Sequence, residues 1–270
     1  MSNGTGDAAT ALVAWGNAWL TGHVGLDEAV DAVEKIAGPQ ILGGVSPARP
    51  PVAPAGGEVP APDEVTLRRG LADLRVAGMS AFRLALPATG DPLGLTGPPA
   101  FNRAAIDAEA AVIAVLPGRA TGLVPGEDRR GSSYVGVLWR AYDAVPAAPD
   151  VPGLADAERQ LTLAMRDATE DLLTVDGGDG VPPEVLDALA DLRDPGRGEH
   201  PLAPGYPPRA HRVAALAGRL ALVVDLAHRM HDRGLTADQM RRRSEALRLL
   251  DRAVRRARVA ACNSSFDPVP

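Results

Sequence analysis

The hydrophobic pattern changes period near residue 150, and no single layer of structure can satisfy both halves. Upstream, apolar residues come in short runs bounded by glycine or proline: "SAFRLALP" from Ser80, "EAAVIAVL" from Glu109, "ATGLV" from Ala120 and "SYVGVLWRAY" from Ser133. Runs of that length and composition read as strands. Downstream, Leu161, Met165, Ala168, Leu172 and Val175 step by four and three, and so do Leu216, Leu220, Val223, Ala227 and Met230. Met240, Leu247, Leu250, Val254, Ala257 and Ala261 form a third such seam. Those are the inward faces of amphipathic helices. The expected class is α+β: a small antiparallel sheet with a packed helix, followed by a C-terminal three- or four-helix bundle.

Connection lengths refine this. "PGR" at Pro117 to Arg119 is a tight turn, and parallel strands would need crossovers of roughly a dozen residues or more, so about four antiparallel strands are predicted. A helix is predicted over Asp63–Ala77, and Pro87–Pro99 is a long loop placed to cover a sheet end. Strand alternation puts Tyr134, Gly136, Leu138, Arg140 and Tyr142 on one face, with Val135, Val137, Trp139 and Ala141 toward the core. In the bundle, "RGLT" before Asp238 joins the last two helices, with Thr236 and Gln239 spelling a capping box; "PEVLDALADL" is a shorter candidate helix.

At the N-terminus, Asp7–Ala37 reads as two helices broken at Gly22 and Gly25, with Leu12, Trp15 and Trp19 as packing residues. Residues 39–62 hold seven prolines and four glycines, a composition suited to a polyproline-like tether that could span roughly 70 Å. The implied division is an N-terminal helical pair (1–38), a Pro/Gly-rich linker (39–62), an α+β domain (63–150), a helical bundle (151–262) and a disordered tail (263–270).

Composition bounds the chemistry. With 46% hydrophobic and 23% charged residues the chain reads as globular, and its core must be aliphatic because aromatics make up only 3%. The N-terminus lacks the marks of a signal peptide and no run approaches the ~20 apolar residues of a membrane span, which predicts a cytoplasmic protein with no membrane partner. Cys262 is the only cysteine, so neither an internal disulfide nor a thiolate zinc cluster can form within one chain. Lys35 is the only lysine, and it lacks the glycine-rich approach of a phosphate loop. There is no G-x-S-x-G and no G-x-G-x-x-G, and "DGGDG" from Asp176 has the letters of a calcium loop without its spacing. No cofactor is expected.

Charge is the most uneven property. Residues 155–194 carry 11 acids and three arginines, whereas residues 209–258 carry 13 arginines and five acids, in a chain of net charge −6. On the last helix Arg241, Arg248, Arg252, Arg255 and Arg256 share one side, opposite Leu247 and Val254, and are predicted to face outward. Such a face is either solvated, with pairs such as Asp251 to Arg255, or an interface for an acidic partner, including the acidic helices of another copy. Nucleic acid is disfavoured by the negative net charge and by the absence of any aromatic between Tyr206 and Phe266 for bases to stack on.

Two weaker constellations remain. Arg83, Asn102, Arg103, Arg119 and Arg140, with Tyr134 and Tyr142, could line an anion pocket under the 87–99 loop. Asp225, His228 and Asp232 fall at helical spacing that could converge on a metal. His231–Asp232 shares the two letters of the HD phosphohydrolase motif, but that pattern needs an upstream histidine and a later aspartate, for which only His211 and Asp251 are available. Ser132 and Ser133 behind Arg129 and Arg130 could accept a phosphate. The expected function is non-catalytic binding of a protein partner, possibly a second copy, through charged helix faces. The alternatives are an enzyme or sensor for a small anion, then a nucleic-acid binder or a metal-dependent hydrolase.

Overall fold

The computed structural model describes residues 3–44, 64–130, 134–175, 202–229 and 236–264. They fall into two compact units, the first made of residues up to Val151 together with Leu202–Tyr206, the second of the remaining helical segments.

The first unit is built on a six-stranded mixed sheet. Its strands are β1 (Gln40–Gly43), β2 (Glu64–Thr66), β3 (Ala81–Ala85), β4 (Ala111–Leu116), β5 (Arg119–Arg130) and β6 (Tyr134–Ala144), in the order β2-β1-β6-β5-β4-β3. The meander β3 to β6 is antiparallel throughout, as its short connections require. The sheet is larger than the four antiparallel strands expected, because β1 adds to β6 in parallel and β2 pairs antiparallel with β1. Gln40–Gly43 is thus a strand inside the stretch assigned to the tether. Gln40 anchors it: its buried Oε1 accepts from Trp139 Nε1 at 2.7 Å, while its Nε2 donates to Gly38 O at 2.7 Å. The helix expected from Asp63 starts instead after β2, as α3.

Helices α1 (Asn3–Leu20), α2 (Leu26–Ala37) and α3 (Leu67–Val76) belong to this same unit, so the N-terminal pair is not a body separated from the sheet. Ala8, Ala9, Leu12, Val13 and Ala18 are buried on α1, which lies so close to β3 that a Cβ on Gly16 would sit 2.6 Å from the Phe82 ring. One residue on, the Asn17 amide pairs with the backbone of Phe82. Its Oδ1 accepts from Phe82 N at 2.8 Å and its Nδ2 donates to Phe82 O at 3.0 Å, so it takes the place of a neighbouring strand at the sheet edge. Thr66 caps α3, whose Gly70 packs against Leu42 on the same sheet face.

The opposite face is covered by α4 (Pro99–Ala108), a helix within the stretch between the expected loop and β4. Proline at its first position is compatible with helix initiation. Phe101 fills the space left by Gly122, where a Cβ would lie 2.3 Å from the ring, and packs with Ala105, Ile113, Ala120, Val124 and Ala144. β5 runs on past "ATGLV" to Arg130; its pairing to β4 ends at Leu123, so Pro125 lies where that edge has no strand neighbour.

The second unit contains α5 (Leu154–Val175), α6 (Pro208–Arg229) and α7 (Ala237–Asn263). α7 packs on both other helices, which barely touch each other. Its start carries the expected box: Thr236 N donates to Gln239 Oε1 at 2.9 Å and Gln239 N to Thr236 Oγ1 at 3.3 Å. Leu247, Leu250, Val254, Ala257 and Ala261 are buried as the spacing predicts. On α6 the seam is displaced: Ala210, Val213, Ala217 and Val224 are buried, while Leu216, Leu220, Val223 and Ala227 are half-buried. Small side chains at the closest approach let the axes come together, and the larger ridge flanks the contact. α7 reaches Asn263, and Asn263 and Ser264 are buried, so these two residues of the expected disordered tail are ordered and packed; residues 265–270 lie outside the described residues. The candidate helix "PEVLDALADL" and the "DGGDG" turn lie outside the described residues.

Candidate interaction surface

α7 has two chemically distinct sides. Opposite its buried alanine, valine and leucine seam, Arg241, Arg242, Arg248 and Arg252 are exposed, with Leu249 among them at 47% exposure. Leu249 neighbours the buried Leu250, and only one of two adjacent leucines can face the core of a helix packed on one side.

The guanidinium groups are held in place from within the helix. Arg241 and Arg242 both pair with Asp238, the second at 3.0 Å; Arg248 reaches Glu245 at 2.6 Å and Arg255 reaches Asp251 at 2.9 Å. These are the i,i+3 and i,i+4 spacings that place a carboxylate beside an arginine. Asp238 is held below the usual carboxylate range, first by the hydrogen bond from Arg241 and then by the charge of Arg242. The hydrogen bond from Arg248 lowers Glu245 and, reciprocally, raises Arg248. At such exposed positions solvent screens each pair, which orients the side chains and adds little to stability. Two of the five expected outward arginines differ from expectation: the Arg255 side chain is only 17% exposed and Arg256 is half-buried, so the outward line is Arg241, Arg248 and Arg252.

The arginines of the first unit do not converge on one pocket. Arg83 Nη1 donates to Ala147 O at 3.1 Å and so ties the loop after β6 to the sheet, and Asn102 Oδ1 accepts from Gly97 N at 2.9 Å and so ties the loop before α4 to that helix. Arg103 and Arg119 are exposed, and the half-buried Tyr142 packs against Phe101 with ring centroids 6.3 Å apart. Arg140 is exposed on the sheet face where α4 sits, its Nη1 3.4 Å from where a Gly126 Cβ would be. Tyr134 lies likewise over Gly136. Farther along, Arg130 bridges Asp128 at 2.9 Å and Glu64 at 2.6 Å, and both bonds raise its pKa, that to Asp128 the more. The spacing of Asp128 and Arg130, two apart on a strand and so on one face, was the legible signal for that network.

Of the metal candidates, Asp225 is half-buried and His228 exposed on α6, while Asp232 lies outside the described residues, as do His231, Ser132 and Ser133. Among the described residues no three metal-ligating side chains cluster, and no helix is long and apolar enough to cross a membrane.

A model of the Rv1486c-like protein N-terminal domain matches residues 9–153, and one of the Rv1486c-like protein C-terminal domain matches residues 155–259. The chain belongs to the Rv1486c-like family. It is 29% identical to the uncharacterized protein Rv1486c of Mycobacterium tuberculosis (strain ATCC 25618 / H37Rv), over 93% of this chain and 94% of that protein. It is also 29% identical to the uncharacterized protein ML1804 of Mycobacterium leprae (strain TN), over 94% of this chain and 95% of the relative. No solved structure matches the chain. The Rv1486c-like N-terminal match takes in most of α1 and all of the sheet, and the C-terminal match takes in α5, α6 and most of α7, including the whole arginine-bearing face.

Proposed function

We propose that the protein is a non-catalytic cytoplasmic interaction module that holds an acidic protein surface against the outer side of α7. The observation that carries this reading is the outward line Arg241, Arg248 and Arg252 with the exposed Leu249 beside it, on a helix whose other side is fully engaged in the core. An apolar residue ringed by cations gives both a desolvated centre and a polar rim, the usual anatomy of a protein interface. Intrahelical carboxylates keep the guanidinium groups extended along the helix, which lowers the ordering cost of binding.

Retention on immobilised polyglutamate tests this. A chain of net charge −6 is repelled by such a matrix unless a local basic face engages it. The wild type is expected to be retained at low salt and released as salt rises, whereas Arg248→Glu/Arg252→Glu passes unretained with an unchanged circular dichroism spectrum. Equal behaviour of the two proteins would refute the reading.

A second reading, a small anionic ligand at the sheet, is favoured by one observation: Arg140 is exposed, held over Gly126, and has no ion-pair partner among the described residues.

A further inference from the structure

α5 presents the electrostatic counterpart of α7. It carries five carboxylates against two arginines, where α7 carries eight arginines against three carboxylates. On its outer side Leu163 is 55% exposed, and Asp167, Glu170 and Asp171 follow it within the next two turns, all exposed. Asp167 and Glu170 have no ion-pair partner among the described residues. The basic charge near Leu163 comes from Arg159, which pairs with Asp156, and from the exposed Arg166. Among the described residues each helix therefore shows one outward leucine within a charged stripe, and the two stripes have opposite net sign.

These faces cannot meet within one copy. α5 and α7 pack against each other, with Ala157, Leu161 and Ala168 buried on α5 and Leu247, Leu250 and Val254 buried on α7, so their charged sides point away from the shared seam. We infer that the acidic partner of the α7 face is the outer face of α5 in a second copy of this chain, with the copies joined head to tail. This rests on the interaction reading above and names its partner. Because the two faces of one copy point away from each other, each contact is heterologous, and copies add head to tail into a ring or an open chain. Leu163 and Leu249 are then covered together in each contact, with Asp167 and Glu170 of one copy facing the arginine line of the next.

Charge reversal in mixed samples tests the inference. Arg248→Glu/Arg252→Glu makes both faces acidic, and Asp167→Arg/Glu170→Arg makes both basic. Light scattering after size exclusion is expected to give a mass above the monomer that grows with concentration for the wild type, the monomer mass for each variant alone, and a mass above the monomer again when the two variants are mixed. Folding of each variant is checked by circular dichroism. Should a variant fail to fold, the wild type alone decides: an assembly that dissociates as salt rises supports the pairing, and one indifferent to salt overturns it. A monomeric wild type up to its solubility limit, variants that remain associated alone, or a mixture of folded variants that stays monomeric also overturns it. Polyglutamate separates the two levels of argument. A monomeric wild type that is retained there leaves the α7 reading standing and removes only the second copy; one that is not retained removes both.

Discussion

Replacing Asn17 by alanine should cost the first unit a large part of its stability, and the geometry sets the amount. Asn17 is 3% exposed and Phe82 is fully buried, so no bulk water replaces the amide when it is removed. Two hydrogen bonds, at 2.8 and 3.0 Å, disappear together, leaving the Phe82 N–H and C=O without partners at the outer edge of β3. An unsatisfied buried donor or acceptor costs about 1–3 kcal/mol, so the pair predicts a loss of about 2–6 kcal/mol. Typical domains hold only about 5–15 kcal/mol. All three tryptophans, Trp15, Trp19 and Trp139, lie in the first unit, so urea unfolding followed by indole fluorescence reports on that unit without interference from the helices of the second. Asn17→Asp sharpens the test. The carboxylate keeps an acceptor for Phe82 N–H but faces Phe82 O with negative charge, and burial raises its folded pKa above the unfolded value. A group shifted in that direction is tolerated best below its unfolded pKa and worst once pH exceeds the folded one. Asn17→Asp should therefore approach the wild type at low pH and fall away from it as pH rises, each compared at the same pH. A shift below about 0.5 kcal/mol for Asn17→Ala would refute the view that this amide closes the sheet edge, since that is the range of an ordinary surface substitution.

Burial pushes the Cys262 thiol up to about 12, against a small opposing effect of Arg258, so alkylation by iodoacetamide at pH 8 should be slow in the folded protein and become rapid only on unfolding. The unfolded thiol ionises at about pH 8.5, so this group favours the folded state fully below that pH and loses its contribution progressively toward the folded value; alkylation of native protein as fast as that of urea-unfolded protein would contradict the burial. For the sheet-ligand reading, pyrophosphate or citrate at about tenfold excess over Kd should stabilise the wild type by about 1.4 kcal/mol, a rise in Tm of roughly 3–5 °C, and Arg140→Ala should remove it. An unchanged Tm for the wild type with both anions would count against that reading.

What could be read from the sequence depended on how local the deciding contact is. The meander β3 to β6 followed from short connections, and the Thr236 box from three consecutive positions, because both are made between near neighbours in the chain. β1 was hidden for the opposite reason. Four residues between Pro39 and Gly44 are too few to show alternation, and their partners on β6 lie about 100 residues away, as the bond from Trp139 to Gln40 illustrates. α4 was hidden by the prolines that begin it, which read equally well as loop. On α7, periodicity placed the arginines on the side away from the core, yet Arg255 and Arg256 are screened from solvent, and that depends on packing of neighbouring segments. The α6 seam failed in the same way: larger residues marked a plausible inward ridge, but closest packing selected the alanines beside it.

The ion pairs along α7 decide what an interface there must rely on. A partner carboxylate that approaches Arg248 competes with Glu245, which already holds that guanidinium at 2.6 Å, so forming the new pair gains little over the old one. Charge on this face therefore selects the partner and speeds its approach, and it contributes little of the binding free energy. That energy must come from apolar burial, and among the described residues of the last helix Leu249 is the large aliphatic side chain available to supply it. Removing about half of a leucine's surface from water is worth roughly 1 kcal/mol per copy. A single leucine contact of that size is marginal, whereas the head-to-tail contact covers Leu163 of one copy and Leu249 of the next together. An acidic polymer is therefore held at this face by charge alone and released at modest salt, whereas a matched apolar stripe opposite adds the burial that a stable association needs.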